Sequence, residues 1–571
     1  MIAKSFSAQD QLFMPGPAFL LPAQDRYRLF AQRVLPVLLQ ARAVLAALYC
    51  GDNGRPCIEP VLLLALSVLQ FWERVPDTQA VALLNWHVGW AFAVGWEIGQ
   101  PLFHPSGLSR FRQLLLEHKQ AALVFEQLVQ GLVQGGLIKG QAARRVDWTF
   151  VLGLVSHRGR LECVRETLRL ALEQLAKPVA AGDRPALWPV WWERYVENQL
   201  DYRAQLAVLQ TKLCQAGQDS VGLLGWIDQN SSASWASASK VQLLRRVFAE
   251  HFETAPVGAS AAAPVSHEKT AAQPAAAMAT AAPPVPRDKT PAGAVKNPHD
   301  PEAQWAKKGS GAQKKEVVGY KVQVSETVPD SPTLKGQPTQ QFLTALETQP
   351  ATASDERGLE QVVQAETRQQ LPPAPTLYVD AAYISGAKLA QAQAQGRALI
   401  GPAPAPPHWQ GRYSAADFDV TFDPLQACCP AGHRQSAACQ WQDGEMGGVA
   451  TRFDWKEKCQ ACPQRAQCVS PDRSSRTLAI GPHHQLLQQR RREQTTPEFR
   501  QRCKQRNALE GTQSELVRAH GLRKARYRGL EKTRLQNYFI GAACNAKRWI
   551  RLLQWRARHI TPAVCTDISK N

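Results

Sequence analysis

Between Thr254 and about Pro298 the chain reads TAPVGASAAAPVSHEKTAAQPAAAMATAAPPVPRDKTPAGAVKNP, rich in alanine and proline and almost without large apolar side chains. Such a tract cannot bury enough surface to offset its ordering entropy, and it is expected as a disordered linker. Strand-like sequence lies on both sides of it, so a sheet that uses both sets is split in sequence.

Upstream, RRVDWTFVLGLVS alternates Val146, Trp148, Phe150 and Leu152 with Asp147 and Thr149, the period of a strand. A helix follows, with Leu161, Val164, Leu168, Leu172 and Leu175 in one stripe. More helix is expected through LWPVWWERYVENQLDY, RAQLAVLQTKLCQ and KVQLLRRVFAEHF. Downstream, GYKVQVSETV alternates, QFLTALETQ is a candidate strand, ASDERGLEQVVQAETRQQL a helix, and TLYVD a short strand ending on Asp380. Strands interleaved with helix suit an α/β core.

From the start to Ile138 the pattern is helical throughout. RYRLFAQRVLPVLLQARAVLAALY is one helix interrupted by Pro36, EPVLLLALSVLQFWERV a nearly all-apolar second, and DTQAVALLNWHVGWAFAV a third. Ser106 can cap a fourth that shows Arg110 and Arg112 on one side, and QAALVFEQLVQGLVQGGL is a fifth. This bundle reads equally as a packing or dimerisation module and as a DNA-binding one.

With 571 residues and 44% hydrophobic side chains, the chain has material for three or four units with real cores. The apolar stretches near Val61–Trp72 and Gly89–Gly95 are too short to span a bilayer, and the start, MIAKSFSAQDQLFMPGP, has no secretory pattern. A cytoplasmic, nucleoid-associated protein is the expectation. The formal net charge is +19, and His484 to His559 alone carries 19 Lys and Arg against 5 Asp and Glu. Charge so concentrated points to a polyanion, with nucleic acid as the first candidate. LRKARYRGLEKTRLQ interleaves Arg523, Lys524, Arg526 and Lys532 with Tyr527, a composition suited to phosphate contacts.

Six of the 13 cysteines fall between Cys428 and Cys468. In a cytosolic chain such clustering suggests metal rather than disulfides. Cys459-x2-Cys462-x5-Cys468 with Cys429 makes four thiolates, enough for a closed structural Zn²⁺ site; Cys428, Cys439 and His433 are alternatives for the fourth ligand.

Asp147 lies between apolar neighbours, and Asp380 ends the apolar run LYVD. A carboxylate in such a place costs free energy unless paired, and a divalent cation pairs it. Glu510, after RQRCKQRNAL in a basic helix, could face inward to the same ions. Two Mg²⁺ (or Mn²⁺) ions held by carboxylates can activate a water and stabilise a leaving oxygen in phosphodiester cleavage.

Five segments carry a resemblance. LSRFRQLL with its preceding helices, VDWTFVLGLVSHRGRLECVRETLRLAL, NPHDPEAQWAKKG…VVGYKVQVSET, YVDAAYIS and RNALEGTQSELVRAHGLRKARYRGLEKTRLQNYFIGAACNAKR together resemble the DDE transposases of bacterial insertion sequences. The resemblance implies an RNase H-like α/β catalytic core preceded by an all-α N-terminal domain; the helical stretch after Asp147 then reads as a large insertion into that core, and the cysteine cluster, lying between Asp380 and Glu510, as a small zinc-binding one. Its expected divisions are 1–138 (helical, for DNA binding or dimerisation), 139–253 (first part of the core plus helical insertion), 254–298 (linker), 299–400 (second part of the core), 401–482 (zinc-ribbon-like insertion) and 483–571 (basic helical end). It implies Asp147, Asp380 and Glu510 as catalytic metal ligands. Arg506 matches a basic position of the glutamate signature, and Arg518 is the cation nearest to a lysine some relatives carry; both are expected, with Arg523, Lys524, Arg526, Tyr527 and Lys532, as DNA contacts, while Cys503 stands where some relatives have an aromatic and Ala382 where glycine is usual. The implied function is binding of terminal inverted repeats, hydrolysis to free 3′-OH ends and strand transfer into target DNA, by a homodimer. A non-enzymatic DNA-binding descendant and a structure-specific endonuclease on the same fold are the rival readings.

Overall fold

The computed structural model describes residues 20–50, 57–199, 205–253, 283–309, 314–330, 336–405, 411–444 and 448–559.

The N-terminal half-bundle departs from the expected long helices for identifiable reasons. The first helix breaks into short pieces, Arg26–Leu29, a wider π-type turn Phe30–Val34, Leu35–Leu39 and Arg42–Ala46. Pro36 has no amide hydrogen, and its ring crowds the preceding turn, which the wider turn relieves. Helix α1 (Pro60–Glu73) is buried at every position from Pro60 to Phe71, as an all-apolar helix must be. The expected third helix is two, α2 (Asp77–Trp86) and α3 (Val88–Val94), parted at His87, whose ring accepts a hydrogen bond from the Trp90 amide. In α4 (Ser106–Glu117) the cap is not Ser106: the Nδ1 of His104 accepts from the Ser106 amide. Arg112 turns inward to Asp77 while Arg110 stays exposed, so the two do not share a face. Helix α5 (Leu123–Gln134) completes the group.

The central sheet comprises β1 (Arg144–Leu152), β2 (Gln304–Lys308), β3 (Lys315–Thr327), β4 (Leu343–Pro350), β5 (Thr376–Tyr378) and β6 (Ala398–Ile400), in the order β4-β3-β1-β5-β6. β2 shares the outer edge of β3 with β4. β3 runs antiparallel to β1, from Arg144 opposite Thr327 to Leu152 opposite Gly319, whereas β5 is parallel to β1 and β6 parallel to β5. The sheet therefore joins one strand from before the Ala/Pro-rich tract to five from after it.

Between β1 and β2 lie α6 (Arg160–Leu175), α7 (Leu206–Gln229) and α8 (Ser239–His251), with a core of their own built on Trp188, Trp191 and Leu223. Residues 254–282 of the expected linker lie outside the described residues. Its remainder, 283–298, is packed: Val285–Pro286 pairs with Phe252–Glu253, and the buried Val295 donates its amide to Glu250. A few apolar residues at the tract's end suffice to dock it on the helices.

Helix α9 (Asp355–Arg368), capped by Ser354, and α10 (Gly386–Ala394) follow the sheet strands. The cysteine-rich part forms two small antiparallel sheets, β7–β9 (Asp419–Phe422, Leu425–Cys428, Arg434–Ser436) and β10–β12 (Cys439–Asp443, Gly448–Asp454, Thr477–Ile480), around Phe418, Phe453 and Trp455. Then come α11 (His484–Glu493), a short helix Pro497–Cys503, α12 (Ala508–Arg518) and the long α13 (Leu530–His559).

Helix α13 ties the fold together. Phe539 stacks on Phe71 of α1 at 5.4 Å, and Tyr538 stacks on Phe125 of α5 at 6.2 Å. At Gly541 a Cβ would come within 2.9 Å of Phe125, so the close approach of α13 and α5 needs glycine there. The N-terminal helices, one face of the sheet (Tyr320, Val322, Leu346), α12 and α13 share one continuous hydrophobic core. Each large side chain buried there contributes roughly 1.5–3 kcal/mol.

Candidate active site

In β1, Val146 packs with α9 and Phe150 with Val317 and Ala351. Asp147 alternates to the opposite face, toward the segment that leads into α12. Its Oδ1 accepts the Trp148 amide at 2.7 Å, and its Oδ2 accepts from Arg506 Nη1 at 2.7 Å. Only 13% of the side chain is exposed. Burial pushes the Asp147 carboxyl above the usual range; the Trp148 amide, Arg506 and Lys308 oppose the rise, and Asp380 adds to it.

Asp380 follows β5 directly. Arg145 is abreast of Tyr378 in the parallel pair, so Asp147, still within β1, and Asp380, just beyond β5, each come two residues after that pair. Asp380 caps the turn Ala381–Tyr383, its Oδ1 accepting the Ala381 amide at 2.7 Å. Beside them the buried Tyr383 donates its hydroxyl to Gln323 Oε1 at 2.6 Å. Burial, with Asp147, Asp355 and Asp380 nearby, holds that phenol well above its ordinary value. Tyr383 sits three residues after Asp380 within the quoted YVDAAYIS, but nothing in its own sequence context separated it from a core tyrosine.

Glu510 lies in the first turn of α12, and its side chain is 69% exposed. The expected inward orientation is therefore not seen. Arg506 Nη2 approaches it at 3.9 Å, so one guanidinium stands between Asp147 and Glu510. The sequence had placed Arg506 among DNA contacts; the structure puts it on a catalytic candidate instead.

A buried ionic network fixes where α12 emerges. Arg145 Nε is 2.6 Å from Glu326 Oε1 and its Nη1 donates to the Gln505 carbonyl at 2.8 Å. Glu326 Oε2 accepts from Thr512 at 2.6 Å and from Arg548 at 3.2 Å, and Arg548 also holds Glu515 at 2.9 Å. Strands β1 and β3 and helices α12 and α13 are thus joined by charges that burial makes interdependent. Trp148, the neighbour of Asp147, has two ammonium groups on its ring, Lys308 at 4.3 Å and Lys321 at 4.4 Å; neither lysine was singled out from sequence.

The basic end divides in two. Arg518, Arg523, Lys524 and Lys532 are exposed. The Arg523 carbonyl accepts the Leu152 amide and the Ala525 amide donates to Leu152, both at 2.8 Å, so this segment lies along the end of β1. Arg526 and Tyr527, expected as DNA contacts, turn inward. Arg526 lies over the Phe71 ring at 4.8 Å, and Arg112 lies over the Tyr527 ring at 5.7 Å. Burial lowers the Arg526 pKa and raises that of Tyr527.

Cys429, Cys459, Cys462 and Cys468 line one small cavity, together with His433. Burial pushes the Cys468 thiol up to about 11, and Cys459, Cys429 and Cys462 add to the rise. Cys439, one alternative ligand, is exposed on β10, while the Cys428 thiol faces the Cys429 carbonyl at 3.7 Å. Among the described residues the one group of three such ligands with atoms all within 4.8 Å of one another is Glu515, His520 and Cys544; no three of the four cysteines, and not Asp147, Asp380 and Glu510, are drawn that close. Arg548 already neutralises Glu515, and Lys547, Arg548 and Arg551 bear on His520, whose pKa burial lowers to about 4. That field disfavours a further cation, and the group reads as packing.

Among the described residues no helix is long and apolar enough to cross a membrane. Residues 428–550 match the family model for a transposase DDE domain, and residues 19–114 match the one for a transposase domain known as DUF772. The first match contains Glu510 and the four cysteines, and the second covers most of the N-terminal helices. No curated protein and no solved structure matches the chain. The two matches support a DDE transposase of the insertion-sequence type, as the resemblance in sequence implied.

Proposed function

From a chain with these two transposase domains, we propose that the protein binds the terminal inverted repeats of an insertion sequence, cuts the DNA there and joins the freed 3′-OH ends to target DNA. The observation that carries this reading is Asp147 on β1 and Asp380 just past the end of the parallel neighbour β5, with Arg506 reaching from Asp147 toward Glu510 of α12. The order β4-β3-β1-β5-β6, three antiparallel strands followed by two parallel ones, supports an RNase H-like core.

The residues fit a hard divalent cation. All three ligands offer oxygen, and the buried Asp147 carboxylate already takes a cation, Arg506, as its partner. A Mg²⁺ or Mn²⁺ pair would supply an activated water and stabilise the leaving oxygen. Asp147 and Asp380 would hold it from the sheet and Glu510 from the rim. The chain's own groups prepare that site: the Trp148 and Ala381 amides each fix one carboxylate oxygen. Exposed Arg518, Arg523, Lys524 and Lys532 would bind phosphates and position the duplex without reading its sequence. Cys429, Cys459, Cys462 and Cys468 would hold a structural Zn²⁺, a role their shared cavity supports.

Incubation with a labelled DNA end and Mg²⁺ tests the proposal. Nicked ends and joined products are expected; a protein that binds the end but cuts it in neither Mg²⁺ nor Mn²⁺ is the non-enzymatic alternative.

A further inference from the structure

Both oxygens of Asp147 are engaged within the chain, Oδ1 by the Trp148 amide and Oδ2 by Arg506. Arg506 also reaches toward Glu510, at 3.9 Å. A guanidinium cannot shed its proton, so a divalent ion arriving at Asp147 Oδ2 must displace Arg506 or be repelled by it. Arg506 is partly open to solvent: its side chain is 20% exposed, and it sits in the short helical turn Lys504–Asn507 between two helices. That turn is flanked by exposed cations, Arg500, Arg502 and Lys504, which draw a phosphate backbone to the same place. The planar fork that holds a carboxylate holds a phosphate equally well.

We infer that Arg506 is a positioning residue that couples metal loading to DNA engagement: it occupies Asp147 in the free protein and yields it to a divalent cation when a DNA phosphate takes the guanidinium over. The inference rests on the metal-centre reading of Asp147, Asp380 and Glu510. Coupling of this kind is reciprocal, so metal binding must tighten DNA binding by the same factor that DNA tightens metal binding. The free protein then carries little metal at its carboxylates, and the centre assembles only where a phosphodiester is present.

Binding of Mn²⁺ to the full chain, followed by loss of the free-ion electron paramagnetic resonance signal, tests this without reference to activity. Arg506→Gln without DNA is expected to bind Mn²⁺ roughly tenfold more tightly than the natural protein, within the usual range of coupled sites. Arg506→Lys, which keeps the charge, should stay near the natural affinity. A short duplex should tighten Mn²⁺ binding to the natural protein and leave Arg506→Gln almost unchanged. A residue that merely supported the fold would weaken metal binding when replaced. An affinity in Arg506→Gln equal to or below the natural one, or no effect of duplex on the natural protein, overturns the inference. Mn²⁺ binding that survives Asp147→Asn undiminished overturns the metal-centre reading instead.

Discussion

Arg145 and Glu326 face each other in register across β1 and β3, and their side chains meet at 2.6 Å with 1% and 0% exposed. Two residues along β1 from this pair lies Asp147. The ion pair therefore locks the strand that presents the first carboxylate to the helix that presents Glu510, through Thr512 and Arg548.

Removing one member of that network should cost far more than a surface charge would. Glu326→Gln leaves Arg145 and Arg548 buried without their shared counter-charge, and a loss of about 3–5 kcal/mol is expected. Chemical denaturation followed by tryptophan fluorescence measures it. A loss no larger than that of Glu531→Gln, whose carboxylate is exposed in its pair with Arg534 on α13, would show the network to be dispensable.

The carboxylates should behave as one unit. Asp147→Asn, Asp380→Asn and Glu510→Gln each preserve shape and remove charge, and each is expected to lower cleavage roughly a thousandfold or more. The losses should not add in a double variant, because each alone disables the centre. DNA binding should persist in all three. A variant that cuts at the natural rate is not a ligand position; gel-based cleavage beside a binding shift separates the two effects.

The same aspartate should be a burden on the fold. Burial raises the Asp147 pKa above its ordinary 3.8, so the folded protein holds that proton to higher pH than the unfolded chain. The contribution of the protonated form is full below 3.8 and is lost as pH rises through the folded value. Asp147→Asn should therefore melt higher than the natural protein at neutral pH, with the gap closing as pH falls below the ordinary carboxyl value. Melting curves across that range check the sign: a variant that melts lower at pH 7 contradicts it.

The two halves of the basic end should separate in experiment. Arg523→Ala with Lys524→Ala should weaken binding to all duplexes alike and flatten the salt dependence by roughly one or two units. Arg526→Ala should instead lower stability and leave that slope unchanged, because its guanidinium lies over Phe71. Titrations at several salt concentrations distinguish a change of slope from a loss of folded protein.

Zinc analysis of freshly purified, reduced protein should give about one ion per chain, lost in Cys462→Ser together with the melting transition of the β7–β12 part. Protein free of zinc would leave the four cysteines as thiols around a cavity.

Asp147 and Asp380 stood out in sequence as carboxylates beside apolar strand residues, but the family resemblance was what singled them out as a pair; the pairing of β1 with β5 places them on neighbouring chain segments. Arg145 and Glu326 were not, since a charge in a strand shows no partner until the register is known. The basic end misled for a related reason: LRKARYRGL counts as uniform charge along the chain, but its turn past the end of β1 sends Arg526 and Tyr527 inward and Arg523 and Lys524 outward. Glu510 was identified correctly as a helix residue, whereas its exposure depends on how α12 is pinned from below. The all-apolar α1 announced that it would be buried, and nothing nearby in sequence announced that α13 would cover it.

That last partnership sets a schedule for synthesis. Gln554 at the end of α13 donates to the Gln24 carbonyl across 530 residues of chain, and the stacked Phe71 and Phe539 lie within the same span. A ribosome adding roughly 5–20 residues per second leaves the N-terminal helices waiting on the order of half a minute to two minutes before their cover emerges. During that interval α1 presents an uncovered apolar surface, a substrate for chaperones. A polypeptide interrupted before α13 lacks both the helix that covers α1 and the Arg548 that holds Glu326 and Glu515 in place.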